Sequence, residues 1–293
     1  MGLSRAVATL AFERWDAFAP GRSPGNPVAV VRVNPGQAVD PALFTRLAGE
    51  MRGFVNVVTA VTACASGGHR LRFFTAATEA AFSGSGAHAA AASLLADGEA
   101  ADLWVGDARL AARQQGPDIL ATAPPVTDLT LPDFLDDLFW ALSLREPVRG
   151  REEEAAFLEL GVRVLLIPMR TTASLADLVP TWEALTNYCQ RQRVDMVVPY
   201  TGNPQLPASR WRLRAFAPRL GLRELPSSGT AAAALGARML GLGRWRGEAA
   251  QVEQGASYER VGIVQLRAEE TDGKPRVWFG GPAALRLCGT YYL

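Results

Sequence analysis

Two stretches of this chain follow one plan. Residues 79–98 read EAAFSGSGAHAAAASLLADG, and residues 224–243 read ELPSSGTAAAALGARMLGLG. Ser83-Gly84-Ser85-Gly86 has its counterpart in Ser228-Gly229-Thr230-Ala231. The interval from the loop glycine to a glycine suited to stop the helix is also shared, Gly84 to Gly98 and Gly229 to Gly243. Each copy opens a helix on glycine and hydroxyl residues and continues it on alanine, predicting helices over 85–97 and 230–242. A helix so thin can lie close to sheet walls on every side, which suits the centre of a strand-rich lobe. Internal duplication of this kind predicts two related lobes.

The flanking sequence supplies the strands. Residues 8–16 and 27–33 read as strands on either side of the loop APGRSPG, and DPALFTRLAGEM (40–51) as a helix with an Asp cap and Pro in its first turn. FVNVVTAV, HRLRFFTA, ADLWVG, ARLAAR and DILATAP read as strands. The prolines of APPVTDLTLPDF (123–134) mark the lobe boundary, giving a first lobe of 1–126 and a second of 127–293. The second half repeats the plan. LDDLFWALSL is helical, SLADLVPTWEALTNYCQRQ is helical around a proline, and VRVLLIPM and VDMVVPY are strands. RWRLRAFAP leads into the second thin helix, and RVGIVQLRAEE, PRVWFGG and LRLCGTYYL close the lobe, the last with scope to cross back to the first.

Composition excludes several classes. With 48% hydrophobic and 20% charged residues the chain is globular. A formal charge of +1 offers no field for nucleic acid or an anionic membrane. Cys64, Cys189 and Cys288 form no CxxC pair and lie far from His69 and His88 in sequence, so neither a zinc site nor a disulfide framework is expected. The N-terminal apolar patch is too short for a signal peptide or a span, and no apolar run approaches 18 residues. A soluble, cytoplasmic protein is expected.

The duplicated helix starts carry the functional expectation. The first turn of a helix has backbone N–H groups without intrahelical partners and a partial positive charge. Glycine gives a ligand access to them, and Ser or Thr can cap or donate. Two such starts facing one cleft would hold a small carboxylate through Ser83, Gly84, Ser85, Gly86, Ser228, Gly229 and Thr230. Ordinary capped core helices are the alternative. RWRLR, with Arg210, Arg212 and Arg214 alternating, reads as a solvated strand face.

DAFAPGRSPGNPVAVV, LRFFTAATEAAFSGSGAHAAAASLL, FAPRLGLRELPSSGTAAAALG, VEQGASYERVGIVQLRA and LCGTYYL together resemble the phenazine-biosynthesis PhzF-like family, in its order and over nearly the full length. That family shares its fold with diaminopimelate epimerase and proline racemase. The resemblance implies an α+β fold of two pseudo-symmetric lobes, each a curled sheet around a central Ala-rich helix, with the active site between them. It also implies proton transfer on a small carboxylated metabolite without a cofactor or metal, leaves room for a homodimer, and places Asn26 beside the cleft.

The sequence departs from the family where the chemistry would be done. Epimerases and racemases of this fold place a cysteine at each central helix start, where this chain has Ser83 and Ser228. The PhzF-like carboxylate, histidine and aspartate fall on Val55, Ser85 and Leu225. General acid–base groups contribute about 10²–10⁴-fold each, so little turnover of the family's usual substrates is expected. Two neighbours are candidate replacements: Glu224, one residue before Leu225, and His88, one helical turn beyond Ser85. A surface glutamate and a buried core histidine are the respective alternatives. The functional expectation is thus an isomerase with a non-standard catalytic set. A non-catalytic carboxylate binder, or a subunit valued for its dimer surface, would be the rival readings.

Overall fold

Runs of β-branched residues buried on both faces set the architecture. The computed structural model describes residues 9–20, 25–34, 36–65, 67–144, 154–255, 261–271 and 273–293. In the first half, β1 (Thr9–Ala17), β2 (Asn26–Val33), β3 (Val57–Ala63), β4 (His69–Phe74), β5 (Glu79–Ala80), β6 (Ala100–Val105), β7 (Ala108–Gln115), β8 (Asp118–Thr122) and β9 (Thr127–Leu129) accompany the helices α1 (Pro41–Glu50) and α2 (Gly84–Leu94). The second half continues with α3 (Leu135–Ala141), β10 (Ala156–Glu159), β11 (Arg163–Pro168), α4 (Thr172–Ala176), α5 (Trp182–Arg191), β12 (Met196–Thr201), β13 (Trp211–Leu213) and β14 (Phe216–Ala217). It closes with β15 (Leu222–Glu224), α6 (Gly229–Gly241), β16 (Ala250–Gln254), β17 (Gly262–Thr271), β18 (Lys274–Pro282) and β19 (Ala284–Tyr292).

The strands form one long curled sheet that does not close. Its hydrogen-bonded order runs β19–β1–β2–β3–β4–β6–β7–β8–β18–β17–β16–β13–β12–β11–β10–β9. The short β5 pairs with β4, and β14 joins β12 to β15. The two halves match step for step. Parallel β2 and β3 are linked through α1, and parallel β11 and β12 through α4 and α5. β9 follows β8 in the chain but pairs with β10, and β19 follows β18 but pairs with β1.

The two-faced strands explain the layers. In β2, Val28 and Val30 point into the curl while Ala29, Val31 and Val33 point out toward α1. In β11, Val164 and Leu166 point in, and Leu165 and Ile167 meet the layer of α3 and α5. Such double burial gives parallel strands their unbroken apolar runs. The central position falls to α2 and α6, whose buried alanines Ala87, Ala89–Ala91 and Ala231–Ala234 share a single core. Alanine keeps these helices narrow enough for sheet on all sides and has the highest intrinsic helix propensity.

The thin helices begin one residue earlier than expected, at Gly84 and Gly229, with Ser83 and Ser228 as caps. The proline-rich boundary segment contains a strand, β9, that its prolines conceal. The strands β10 and β16 are also unexpected; each is short and flanked by charge. Ala8 and Arg260, expected at strand starts, and residues 21–24 of the expected loop lie outside the described residues. RWRLR corrects the reading of a solvated face. Arg212 and Arg214 are buried and only Arg210 is exposed, because carboxylates from distant strands neutralise the buried pair. Among the described residues, no helix is long and apolar enough to cross a membrane.

Candidate functional site

The two central helices meet N-terminus to N-terminus. Their caps are near copies, with φ and ψ of −141° and 114° at Ser83 and −142° and 108° at Ser228. Each serine Oγ accepts from the third N–H of its own helix, Ser83 from Gly86 at 3.2 Å and Ser228 from Ala231 at 3.1 Å. Across the junction the Gly84 N–H donates to Thr230 Oγ1 at 2.9 Å.

The glycines here are required by the protein itself. A Cβ on Gly84 would lie 2.5 Å from the Thr230 nitrogen and 2.7 Å from the Gly229 carbonyl carbon. On Gly229 it would strike the Phe279 and Phe18 rings, and on Gly86 the Phe73 ring and Thr59 Oγ1. The first turns are therefore in backbone contact, and no ligand fits between Gly84 and Gly229. Among the described residues, the N–H groups of Ser85, Gly229 and Thr230 have no hydrogen-bond partner. All three residues are buried. Buried N–H groups left unpaired are rare and call for water or a bound acceptor.

Side-chain amides from both lobes shape the turn into α6. Asn26 Nδ2 donates to the Ser227 carbonyl at 2.5 Å, and Asn26 Oδ1 accepts from Asn56 Nδ2 at 2.9 Å. Gln254 donates to the Leu225 carbonyl at 2.7 Å and accepts from the Ser228 N–H at 2.8 Å. Asn26 and Gln254 are fully buried. Behind Gln254 lies the closed pair Arg212–Glu253, at 3.4 Å. Its carboxylate caps the N–H groups of Gln205 and Leu206, while Arg212 reaches the Gly255 carbonyl. Sequence reasoning misses Asn56, Ser227, Gln254 and this ion pair. The one signal it offers is the family-like stretch VEQGASYERVGIVQLRA, which contains Gln254.

The expected site residues thus divide. Ser83 and Ser228 are occupied as caps, Asn26 bridges the lobes through Nδ2 to Ser227 while its Oδ1 is held by Asn56 of its own lobe, and Thr230 Oγ1 serves Gly84. Ser85 Oγ contacts Ser83 Oγ at 3.3 Å. Val55 lies in the outer core of the first lobe and Leu225 in the central core, so neither carries polar chemistry. Glu224 turns to the outer layer of the second lobe. Both of its oxygens accept from Arg214 at 2.8 Å, and Arg214 also binds the Leu178 carbonyl at 2.7 Å.

His88 is fully buried beneath the first helix start, its ring 4.2 Å from that of Phe18. Its Nε2 lies 2.9 Å from the Gly281 carbonyl, which places the proton of the neutral ring on that nitrogen. Burial lowers its pKa to about 4, so it is neutral at physiological pH. Among the described residues, no three of His, Cys, Asp and Glu gather as a metal site would need.

Comparison with known proteins fits this geometry. A PhzF-family protein from Enterococcus faecalis is 22% identical, with a TM-score of 0.74 over 98% of this chain and 100% of that one. One from Bacillus anthracis is 18% identical, with a TM-score of 0.78 over 98% and 100%. A hydroxyproline epimerase from Agrobacterium vitis, solved with bound trans-4-OH-L-proline, is 12% identical, with a TM-score of 0.65 over 100% and 94%. No curated protein matches. The fold is diaminopimelate-epimerase-like. The phenazine biosynthesis-like protein (PhzC-PhzF) profile matches residues 15–289, and the chain belongs to that family.

Proposed function

We propose that this protein is a cofactor-independent isomerase that moves a proton on a small carboxylated metabolite, using a non-standard catalytic set. The observation that carries the reading is the trio of buried, unpaired N–H groups of Ser85, Gly229 and Thr230 at the paired helix starts, among the described residues. Neutral donors at the positive ends of two helices suit a carboxylate, and burial strengthens each bond. Family membership supports isomerase chemistry over simple anion capture.

The proton carriers are the unusual part. With Val55, Ser85 and Leu225 at the family's catalytic positions, His88, Glu224 or a group on the substrate must exchange the proton. His88 is neutral and therefore able to accept one, but it must first gain access from beneath Ser85. Glu224 must first leave Arg214. That double commitment favours a second reading, a relative that binds carboxylates and has lost the reaction.

One experiment separates the readings. Solvent deuterium incorporation at carbon is followed by NMR across a panel of carboxylated metabolites, with calorimetric binding in parallel. Exchange that falls in Glu224→Gln or His88→Ala supports the isomerase and identifies the carrier. Binding without exchange supports the second reading. Neither binding nor exchange overturns both.

A further inference from the structure

The two lobes share a second repeat. RLRFF (70–74) on β4 matches RLRAF (212–216) on β13 and β14. In each copy the second arginine holds a glutamate through two bonds, Arg72 to Glu79 at 2.7 and 2.8 Å and Arg214 to Glu224 at 2.8 Å for both. The first arginine of each copy donates to a glycine carbonyl, Arg70 to Gly106 at 2.8 Å and Arg212 to Gly255 at 3.0 Å. The register also agrees. Arg70 stands opposite Trp104 on parallel β6, and Arg212 opposite Glu253 on parallel β16, each two residues before that glycine.

One exchange, tryptophan for glutamate, therefore opens the first-lobe copy. In the second lobe Glu253 lies 3.4 Å from Arg212, and the pair is closed to solvent, with side chains 0% and 1% exposed. Arg70 is exposed, and among the described residues it makes one hydrogen bond, to Gly106, and no ion pair. Beyond Trp104 stands Arg109 on β7, which Asp102 already neutralises at 2.9 Å. Leu71, Leu103 and Val105 fill the central core, so Arg70 and Trp104 project from the outer face of the sheet, on the side away from α2. There they line a cleft of about 460 Å³ together with Thr62 and Cys64. An exposed arginine by itself is ordinary. This one lacks the carboxylate that its counterpart has at the same register, and it borders a cleft with an indole for a wall.

We propose that this outer cleft binds a small aromatic carboxylate. Its carboxylate takes the role of Glu253, accepting from the remaining donors of Arg70, and its ring lies against Trp104. The arginine fork matches a carboxylate through paired N–H···O bonds, and an indole gives an aromatic ring a stacking surface. The volume falls within the range of about 300–1,000 Å³ usual for small-molecule sites. The cleft is separate from the helix junction and does not rest on the isomerase reading.

Benzoate is the probe. The indole N–H signals of the tryptophans are followed by heteronuclear NMR as benzoate is added, the Trp104 signal being the one lost in Trp104→Phe. The expected result is a saturable movement of that signal, with an affinity at least roughly tenfold weaker in Arg70→Gln, since hydrogen bonds to charged groups are the strong ones. Acetate, which carries the charge without the ring, is expected to bind at least roughly tenfold more weakly than benzoate. A Trp104 signal unmoved by millimolar benzoate overturns the proposal, and benzoate held only at the helix junction would give that result while leaving the isomerase reading intact. Equal benzoate affinity in the wild type and a folded Arg70→Gln overturns it too. Inorganic phosphate or acetate moving the signal as strongly as benzoate overturns the assignment to an aromatic carboxylate. If Arg70→Gln does not fold, the wild-type comparison of benzoate with acetate and phosphate decides.

Discussion

Gly84→Ala is the sharpest probe of the helix junction. The added Cβ would sit 2.5, 2.7 and 2.9 Å from three backbone atoms of Gly229 and Thr230. No side chain can rotate away, so one helix start must retreat. Restoring an ordinary contact needs a shift of about 0.9 Å, which would also stretch the 2.9 Å bond from Gly84 N–H to Thr230 Oγ1 beyond useful range. Overpacking of this kind costs about 1–3 kcal/mol. Stranding a buried N–H costs about 1–3 kcal/mol more. Alanine returns at most about 1 kcal/mol through helix propensity. The net expectation is a loss of about 3 kcal/mol, or roughly 6–12 °C in Tm for a domain this large. Urea unfolding followed by circular dichroism measures it. Gly241→Ala at the other end of α6 is the control. Nothing lies within 4 Å of where its added methyl would stand, and its φ is not positive, so the change should stay within about 1 kcal/mol, on the stabilising side. A Gly84→Ala protein as stable as the wild type, to within the usual scatter of about 0.5 kcal/mol for harmless substitutions, would refute the backbone contact between the helices.

Three further outcomes rest on the same geometry. Thr230→Val keeps the shape but removes the acceptor for Gly84 N–H, and urea unfolding should show a loss of about 1–3 kcal/mol; an unchanged midpoint would mean that water replaces the hydroxyl. His88 has a folded pKa of about 4 against 6.5 unfolded, so the folded state binds fewer protons between those values. Its contribution is intact above about pH 6.5 and is lost as pH falls, the loss reaching about 3 kcal/mol below pH 4; His88→Asn should flatten that part of the stability–pH curve, and an identical slope would remove His88 as its source. Glu224→Gln leaves the buried Arg214 guanidinium without its counter-charge, and about 2–3 kcal/mol of stability should go with it; a variant as stable as the wild type would free Glu224 from a structural role.

The local chemistry of the helix starts is legible in the sequence alone. Serine caps, first-turn glycines and alanine repeats act within a few residues, and the two copies match closely enough to predict paired helices at the centre of two lobes. The same local view explains α1, whose Asp40 side chain accepts from Ala42 N–H with Pro41 in the first turn. It cannot say why the glycines are there. Gly84 is small because Thr230 stands against it, 146 residues further along the chain.

Alternation sets Arg210, Arg212 and Arg214 apart from their neighbours, but nothing local distinguishes a wet face from a buried one. Burial is decided by Glu253 on β16 and Glu224 on β15, which neutralise charges that would otherwise be too costly to enclose. Short strands such as β9, β10 and β16 are likewise hidden, because a few residues acquire strand geometry from the neighbour that pairs with them. Elements whose hydrogen bonds close locally can be read from the chain: the capped helices, the strong apolar strands and their duplication. Which helix start meets which, which charges are enclosed, and the return of the last strand to the first emerge with the folded chain, because those contacts join groups as far apart as Asp16 and Arg286.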